Sequence, residues 1–235
     1  MKRRFCFCIC LSFALAAAAQ QAIDYSQIKP KKVVHEIEVF SSGTLILPND
    51  NGYSEYFHST TNGQGTYKIG SKYGYMLGIG IKHYFRKRLG LGVRVSSDKR
   101  GLKEVTNTPN SKTSENESNS YFTGKIIGSY HVCNFYFLFG SYYSSLHKSS
   151  VKSIYSINGQ SPQIGYYQGQ PNENEFGIVA GAGYSRSISK NIICGFELIV
   201  GHPFTYTYHD TKYKVSMNYI DLLIALKYNR LNLLN

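Results

Sequence analysis

Hydrophobic and polar residues alternate along several long stretches of the chain. Between Tyr73 and Phe85, the odd-numbered residues are mostly aliphatic or aromatic, and the even-numbered ones are mostly glycine or polar. A period of two residues is typical of a β-strand with one apolar face. The stretch has 13 residues, whereas soluble strands usually have about five or six and membrane-crossing strands need about 9–11. The pattern therefore favours a strand that crosses a membrane.

The same alternation predicts eight strands in all. Along the chain they lie near residues 35–47, 73–85, 89–96, 122–132, 135–147, 176–185, 192–201 and 219–228. The first strand shows the weakest alternation. The fifth strand is apolar on both faces, so its sequence does not decide which face points inward.

The predicted connections differ in length from one end of the strands to the other. Those after the second, fourth and sixth strands are tight turns, and the last hairpin, near 209–212, is short. Those after the first, third and fifth strands are long and polar, at about 48–71, 100–120 and 148–172. An even strand count with short turns at one end is typical of outer-membrane barrels, whose short turns face the periplasm. The predicted fold is all-β, an eight-stranded antiparallel up-and-down transmembrane β-barrel in the outer membrane.

A soluble β-sandwich or a lipocalin-like barrel is the alternative architecture. In either one, the apolar face would point inward and the glycine-rich face would meet water. A soluble surface would carry more Lys and Glu than Gly, whereas a tight eight-stranded barrel has little interior room and suits small residues. The glycine-rich face therefore favours the membrane barrel.

The N-terminus has the features of a secretory signal peptide. Three cations at positions 2–4 precede an apolar run over 5–15, and Ala17-Ala18-Ala19 fits a small-residue cleavage site. The predicted organisation is a signal peptide (1–19), a periplasmic N-terminal segment (20–34) and the barrel domain (35–235). A membrane anchor or a lipoprotein is the alternative interpretation, but the run is short for a span.

Composition narrows the classes further. Aromatic residues make up 14% of the chain, with 21 Tyr and no Trp, which argues against disorder and against a helical bundle. The formal charge of +12 suggests contact with outer-membrane lipids and anionic lipopolysaccharide rather than nucleic acid, because the chain is exported. Beyond the signal peptide only Cys133 and Cys194 remain, at a turn and on the lipid face, and we expect both to be free. No spacing of Cys and His predicts a metal, and no cofactor is expected.

Two segments resemble a known family. LGLGVRVSSDKRGLKEV (89–105) and the final NYIDLLIALKY (218–228) are similar to PorT-like small outer-membrane β-barrel proteins of Bacteroidetes-type bacteria. The chain departs from that family in lacking a Pro near Leu223 or Ile224. The resemblance implies an outer-membrane barrel, and some members of the family serve protein secretion.

The lumen is the candidate site, because the alternation places charged residues on its wall. The predicted inward-facing acids are Glu36, Glu38, Glu197 and Asp221, and the inward-facing bases are Lys82, Arg94, Lys125 and Lys227. We expect Glu197 and Asp221 to be neutralised by Arg94 and Lys125 at one height, because buried charges must pair. The hypotheses are a lumen plugged by ion pairs, a narrow gated pore or ligand site, and a catalytic carboxylate pair.

Two functions of different classes remain open. The first is a non-enzymatic envelope protein with a structural, surface-binding or secretion-accessory role, possible partners being other envelope or secretion proteins. The second is a lipid-modifying hydrolase or acyltransferase of the outer membrane. It would use His147 and Ser149, spaced so that the imidazole activates the hydroxyl, with His209 and Asp210 nearby. Because that spacing is common by chance, the sequence favours the non-enzymatic function.

Overall fold

The computed structural model describes residues 34–50, 64–85, 88–158, 160–168, 173–189, 191–205, 208–209 and 214–230. The predicted signal peptide and all of the N-terminal segment except Val34 lie outside these ranges, as do Arg86, Lys87 and Asp210. Within the described residues, no helix is long and apolar enough to cross a membrane.

The described residues form β-strands joined by turns and extended segments. The strands are β1 (Val34–Asp50), β2 (Thr66–Gly70), β3 (Tyr73–Tyr84), β4 (Leu89–Arg100), β5 (Lys103–Asn107), β6 (Ser111–Val132), β7 (Phe135–Ile157), β8 (Gln163–Tyr167), β9 (Asn174–Ser187), β10 (Ile192–Pro203), β11 (Tyr208–His209) and β12 (Lys214–Arg230).

Eight of these strands close into a ring. In the order β1, β3, β4, β6, β7, β9, β10, β12, each strand pairs antiparallel with the next. The ring closes where β12 pairs with β1, from His35 opposite Arg230 to Asp50 opposite Val215. Closure leaves no strand in the ring with an unpaired edge, which a bilayer demands because hydrocarbon offers the backbone no hydrogen bonds. The predicted eight-stranded up-and-down barrel is confirmed.

The outer surface of the ring is apolar. Ile79 on β3 is 64% exposed, Leu198 on β10 is 51% exposed and Leu222 on β12 is 64% exposed, while their neighbours in sequence point inward. Soluble proteins rarely expose a continuous band of aliphatic and aromatic side chains to water. It matches the lipid-facing band of a transmembrane barrel.

The strands extend farther at one end than the sequence pattern predicts. The segments near 100–120 and 148–172 contain β5 and β8, and the pairing of β6 with β7 runs on to Ser111 opposite Ile157. Together β2, β5, β6, β7 and β8 form a continuous five-stranded antiparallel sheet beyond the ring, here called the outer sheet. Its residues show no apolar alternation because both of its faces can meet water, so the pattern alone identified these segments as loops.

Aromatic rings fill much of the lumen. Tyr136 and Tyr142 on β7 point inward and are at most 1% exposed, whereas Phe137 and Phe139 point outward. The inward face of β7, which the sequence left undecided, is therefore the one that carries its tyrosines. Gly183 on β9 lies against the ring of Tyr136, where any Cβ would collide with it. Small residues opposite large rings let a narrow barrel pack its interior.

Candidate functional site

The lumen holds all eight charged residues that the alternation assigns to it. None of them is more than 3% exposed: Glu36, Glu38, Lys82, Arg94, Lys125, Glu197, Asp221 and Lys227. They come from β1, β3, β4, β6, β10 and β12, so six strands contribute to one site. Four acids and four bases balance the formal charge of this set.

Arg94 on β4 is the centre of the network. Its Nη1 and Nη2 donate to the two carboxylate oxygens of Glu197 at 2.6 and 2.8 Å. Its Nη2 also donates to Oε2 of Glu38 at 2.9 Å, and its Nε donates to the other oxygen of Glu38. The planar guanidinium can hydrogen-bond to two carboxylates in this way because its N–H donors have a fixed, forked geometry. The contact joins β4 to β1 and to β10 across the lumen.

Lys227 on β12 extends this network towards the short-turn end. Its Nζ lies 3.6 Å from Glu197 Oε1 and 3.7 Å from Glu36 Oε1, and it donates to the Tyr136 hydroxyl at 3.1 Å. The Tyr136 hydroxyl in turn donates to Glu197 Oε1 at 2.7 Å. Glu197 is thus held by two cations and a hydroxyl, which offsets the cost of burying its charge.

Lys82 on β3 is held differently from the other cations. Its Nζ has no hydrogen-bond partner among the described residues. The ammonium lies 5.3 Å from the centre of the Tyr136 ring and 6.0 Å from that of Tyr84. Cation–π attraction at these distances supplies part of the stabilisation that a hydrogen bond would give.

Lys125 and Asp221 form a second, separate pair. Lys125 Nζ lies 3.3 Å from Asp221 Oδ2, and Thr44 donates to Asp221 Oδ1 at 2.6 Å. The structure therefore places Arg94 against Glu197 and Lys125 against Asp221, whereas the sequence predicted only that the two bases neutralise the two acids. The grouping differs from the sequence prediction, because among the described residues no ion pair joins Lys125 or Asp221 to the Arg94 network, and the four residues do not form one cluster.

A third cluster, which the sequence analysis missed, surrounds Arg100. The sequence pattern predicts a long loop from Arg100 onwards, but Arg100 is the last residue of β4 and is 3% exposed. Arg100 donates to Glu175 Oε1 at 2.7 Å and to Asp98 Oδ2 at 2.8 Å, and Tyr142 also donates to Glu175 at 2.8 Å. The signal was present, because residues 94, 96, 98 and 100 share one face if the alternation of β4 continues.

The three clusters place buried cations and acids in contact along the barrel. The guanidinium of Arg100 also lies 4.9 Å from the ring centre of Tyr219 and 5.1 Å from that of Tyr121. Among the described residues, no group of three or more His, Cys, Asp or Glu side chains is arranged to hold a metal ion. The arrangement is suited to cross-linking the wall of the barrel through charge-assisted hydrogen bonds.

The hypothetical His147–Ser149 pair is not assembled. The pairing of β6 with β7 shifts register at Ser120 and Tyr121, and His147 is the extra residue of this bulge. His147 is exposed and stacks edge-on against the ring of Phe122, 5.5 Å away. Ser149 is buried and donates to Glu117 at 3.3 Å. The imidazole therefore does not face the hydroxyl, and the interpretation of these residues as a catalytic pair is wrong.

The two remaining cysteines are free, as predicted. Cys133 is exposed in the turn between β6 and β7, with a φ of 57°, and Cys194 is partly exposed on β10. The side chain of His209 and the whole of Asp210 lie outside the described residues.

Comparison with known proteins finds similarity to solved structures alone. No family model matches, and no curated protein matches. Among solved structures, Neisserial surface protein A is similar at 10% identity and a TM-score of 0.38, over 84% of this chain and 99% of that one. Ail of Yersinia pestis is similar at 11% identity and a TM-score of 0.36, over 84% and 100%. Outer membrane protein AlkL is similar at 8% identity and a TM-score of 0.44, over 91% and 97%.

Likenesses of this size say nothing about function, so the class of protein follows from the strand pairing and the surface. A closed antiparallel barrel of eight strands, with an apolar exterior and a charged interior, defines an outer-membrane β-barrel protein. The outer membrane is its location.

Proposed function

We propose that this chain is a non-enzymatic outer-membrane protein whose lumen is plugged by ion pairs and whose outer sheet carries its surface-binding or secretion-accessory role. The observation that carries the proposal is the contact of Arg94 with Glu38 and Glu197, which spans the lumen with side chains at most 3% exposed. An open aqueous channel would leave such side chains in contact with water.

The second support for a plugged lumen is that buried charged clusters obstruct it at two heights along the barrel. The Arg100 cluster contains Asp98, Glu175 and Tyr142, all buried, and it is separated along β4 from Arg94 by six residues. A β-strand rises about 3.3 Å per residue, so two obstructed layers follow one another along the barrel. A permeating ion would have to displace paired charges in both layers.

The test is ion conductance across a planar bilayer that contains the refolded mature chain. The proposal predicts no stable conductance steps from the wild type. Arg94→Ala combined with Arg100→Ala should give small, cation-selective steps, because it removes one cation from each layer and leaves the carboxylates. A matched control, Lys103→Ala with Lys112→Ala, removes two cations from exposed positions of the outer sheet and should be silent.

The second candidate is a narrow gated pore. The observation that favours it is Lys82, whose Nζ has no hydrogen-bond partner among the described residues. Because this side chain has fewer contacts to break, it could move more easily when a pore opens. Stable conductance from the wild-type chain would contradict the plugged lumen and favour this pore.

The outer sheet supports a role in surface contact. The five residues of β8 are all exposed, with Ile164 at 58% and Tyr166 at 74%. Exposed aromatic and aliphatic side chains on a sheet outside the membrane are suited to bind a partner. The PorT-like resemblance is compatible with a partner in secretion. Comparison of secreted proteins from cells with and without this chain tests that part of the proposal.

A further inference from the structure

A groove of about 530 Å³ lies at the junction between the barrel and the outer sheet. The residues that matter to its chemistry come from β3, β4, β7 and β8 and from the segment before β3: Lys72, Tyr73, Tyr75, Lys99, Lys152 and Tyr166. None of the residues that line the groove is acidic.

The groove opens on the outside of the barrel. Tyr75 pairs with Lys99, and both continue the outward face that carries Leu77 on β3 and Val95 on β4. Lys152 pairs with Tyr166 on the neighbouring strand β8 and lies on the same side of the outer sheet. These outward-facing side chains line one groove, so a ligand would approach it from the lipid side and not through the lumen.

The height of the groove matches the boundary between hydrocarbon and headgroups. Leu77 and Val95 belong to the apolar band. Tyr75 is the next outward residue of β3 towards the outer sheet, and it pairs with Lys99, which follows Val95 and Ser97 on the outward face of β4. Tyr73, one step farther out, is 83% exposed. Tyrosines at the edge of the lipid-facing band are characteristic of the interface of outer-membrane barrels. The groove therefore lies at the level of the lipid headgroups.

The lysines of the groove contact tyrosine rings and a backbone carbonyl. Lys99 Nζ lies 5.9 Å from the ring centre of Tyr75, and Lys152 Nζ lies 5.9 Å from that of Tyr166. Lys72 donates to the backbone carbonyl of Glu117 at 2.8 Å. Burial and, after it, the nearby charge of Lys99 lower the pKa of Lys72, while the carboxylate of Glu117 acts in the opposite direction.

We infer that this groove binds the phosphate groups of an anionic lipid headgroup in the outer leaflet. Three ammonium groups provide the charge complement of a phosphate, and the tyrosine rings provide amphipathic surface for the sugar or glycerol that carries it. The inference rests on the proposed function in one respect, that the outer sheet faces the outer surface of the cell.

The test is equilibrium binding of bisphosphorylated lipid A to the full mature chain in nonionic detergent micelles, followed by native mass spectrometry. The variant Lys72→Gln, Lys99→Gln, Lys152→Gln should bind about 100-fold more weakly, because each lysine near an anionic headgroup contributes about fivefold in affinity. Because Lys72 also contacts the backbone, a second variant keeps it and changes only Lys99 and Lys152. That variant should bind about 25-fold more weakly.

A matched control removes the same charge elsewhere. Lys68→Gln, Lys103→Gln, Lys112→Gln changes three exposed lysines that do not line the groove, and its affinity should stay near that of the wild type. An equal loss in this control, or no loss in the two groove variants, would overturn the inference. Equally tight binding of dephosphorylated lipid A would overturn it too.

Inorganic phosphate distinguishes a free anion from a headgroup. It should displace lipid A only weakly, because it lacks the sugar that contacts the tyrosines. Displacement at concentrations comparable to those of lipid A would overturn the assignment to a lipid. Conductance of the groove variants separates this result from the plugged lumen, since that proposal predicts silence whether or not the groove binds lipid.

Discussion

Replacement of Arg94 by Ala should strongly destabilise the barrel. The side chain holds two carboxylates, Glu38 and Glu197, and all three residues are at most 2% exposed. Removal of one partner from a buried ion pair costs about 3–5 kcal/mol, most of it because a charge is left buried and unpaired. Arg94→Ala leaves Glu38 without its ion-pair partner and leaves Glu197 with only Lys227 and the Tyr136 hydroxyl. Because two carboxylates lose contacts, we expect a loss at the upper end of that range, about 5 kcal/mol.

Glu197→Ala should cost less. In this variant Arg94 keeps its two hydrogen bonds to Glu38. Lys227 keeps its ion pair with Glu36, in which Nζ lies 3.7 Å from Oε1. We therefore expect a loss at the lower end, about 3 kcal/mol. The double variant should cost less than the sum of the single losses by about 2 kcal/mol, because the two residues share contacts.

Equilibrium unfolding by urea in lipid vesicles measures these losses. Far-UV circular dichroism is the suitable signal, because the chain has no Trp. Arg186→Ala, which removes an exposed arginine from β9, is the matched control and should change the free energy of unfolding by less than about 1 kcal/mol. Neutralising the stranded acids, with Glu38→Gln and Glu197→Gln in the Arg94→Ala background, should recover part of the loss. If Arg94→Ala costs no more than Arg186→Ala, the lumen is not a buried ion-pair network.

Other predictions concern the two faces of the wall and its orientation. Leu198→Lys should cost about 2–4 kcal/mol in the same assay, because it places a charge in hydrocarbon; an unchanged midpoint would mean that β10 faces the other way. Gly183→Ala should cost about 1–3 kcal/mol by forcing the Tyr136 ring to move. Gly124→Ala, where a Cβ meets nothing within 4 Å, is its control and should cost little. Cys133, exposed at the short-turn end, should react with a membrane-impermeant maleimide only after cells are permeabilised, and labelling of intact cells would reverse the topology.

The barrel could be predicted because its wall repeats one simple constraint. One face of each spanning strand meets lipid, so the alternation marks the strand and its inward face together. That is why Lys82, Arg94, Glu197 and Asp221 could be assigned to the lumen from sequence.

The alternation of apolar and polar residues does not predict the structure beyond the lipid-facing band, where this constraint ends. Beyond the membrane band, both faces of a strand can meet water, so β5 and β8 carry no apolar period. The inward side of β7 depended on the neighbouring strands, because both of its faces are apolar. The bulge at His147 depends on how two strands pair, which no single-strand pattern records. These features follow from contacts between strands and not from the order of residues in one of them.

The most direct test of the account is the electrophoretic mobility of the chain recovered from carbonate-washed outer membranes, with and without boiling. A closed barrel keeps every backbone hydrogen bond of its ring and resists unfolding by detergent. The account predicts that the chain stays with the outer membrane and migrates differently before and after boiling. Recovery of the chain in the soluble periplasmic fraction, with the same mobility in both samples, would contradict it.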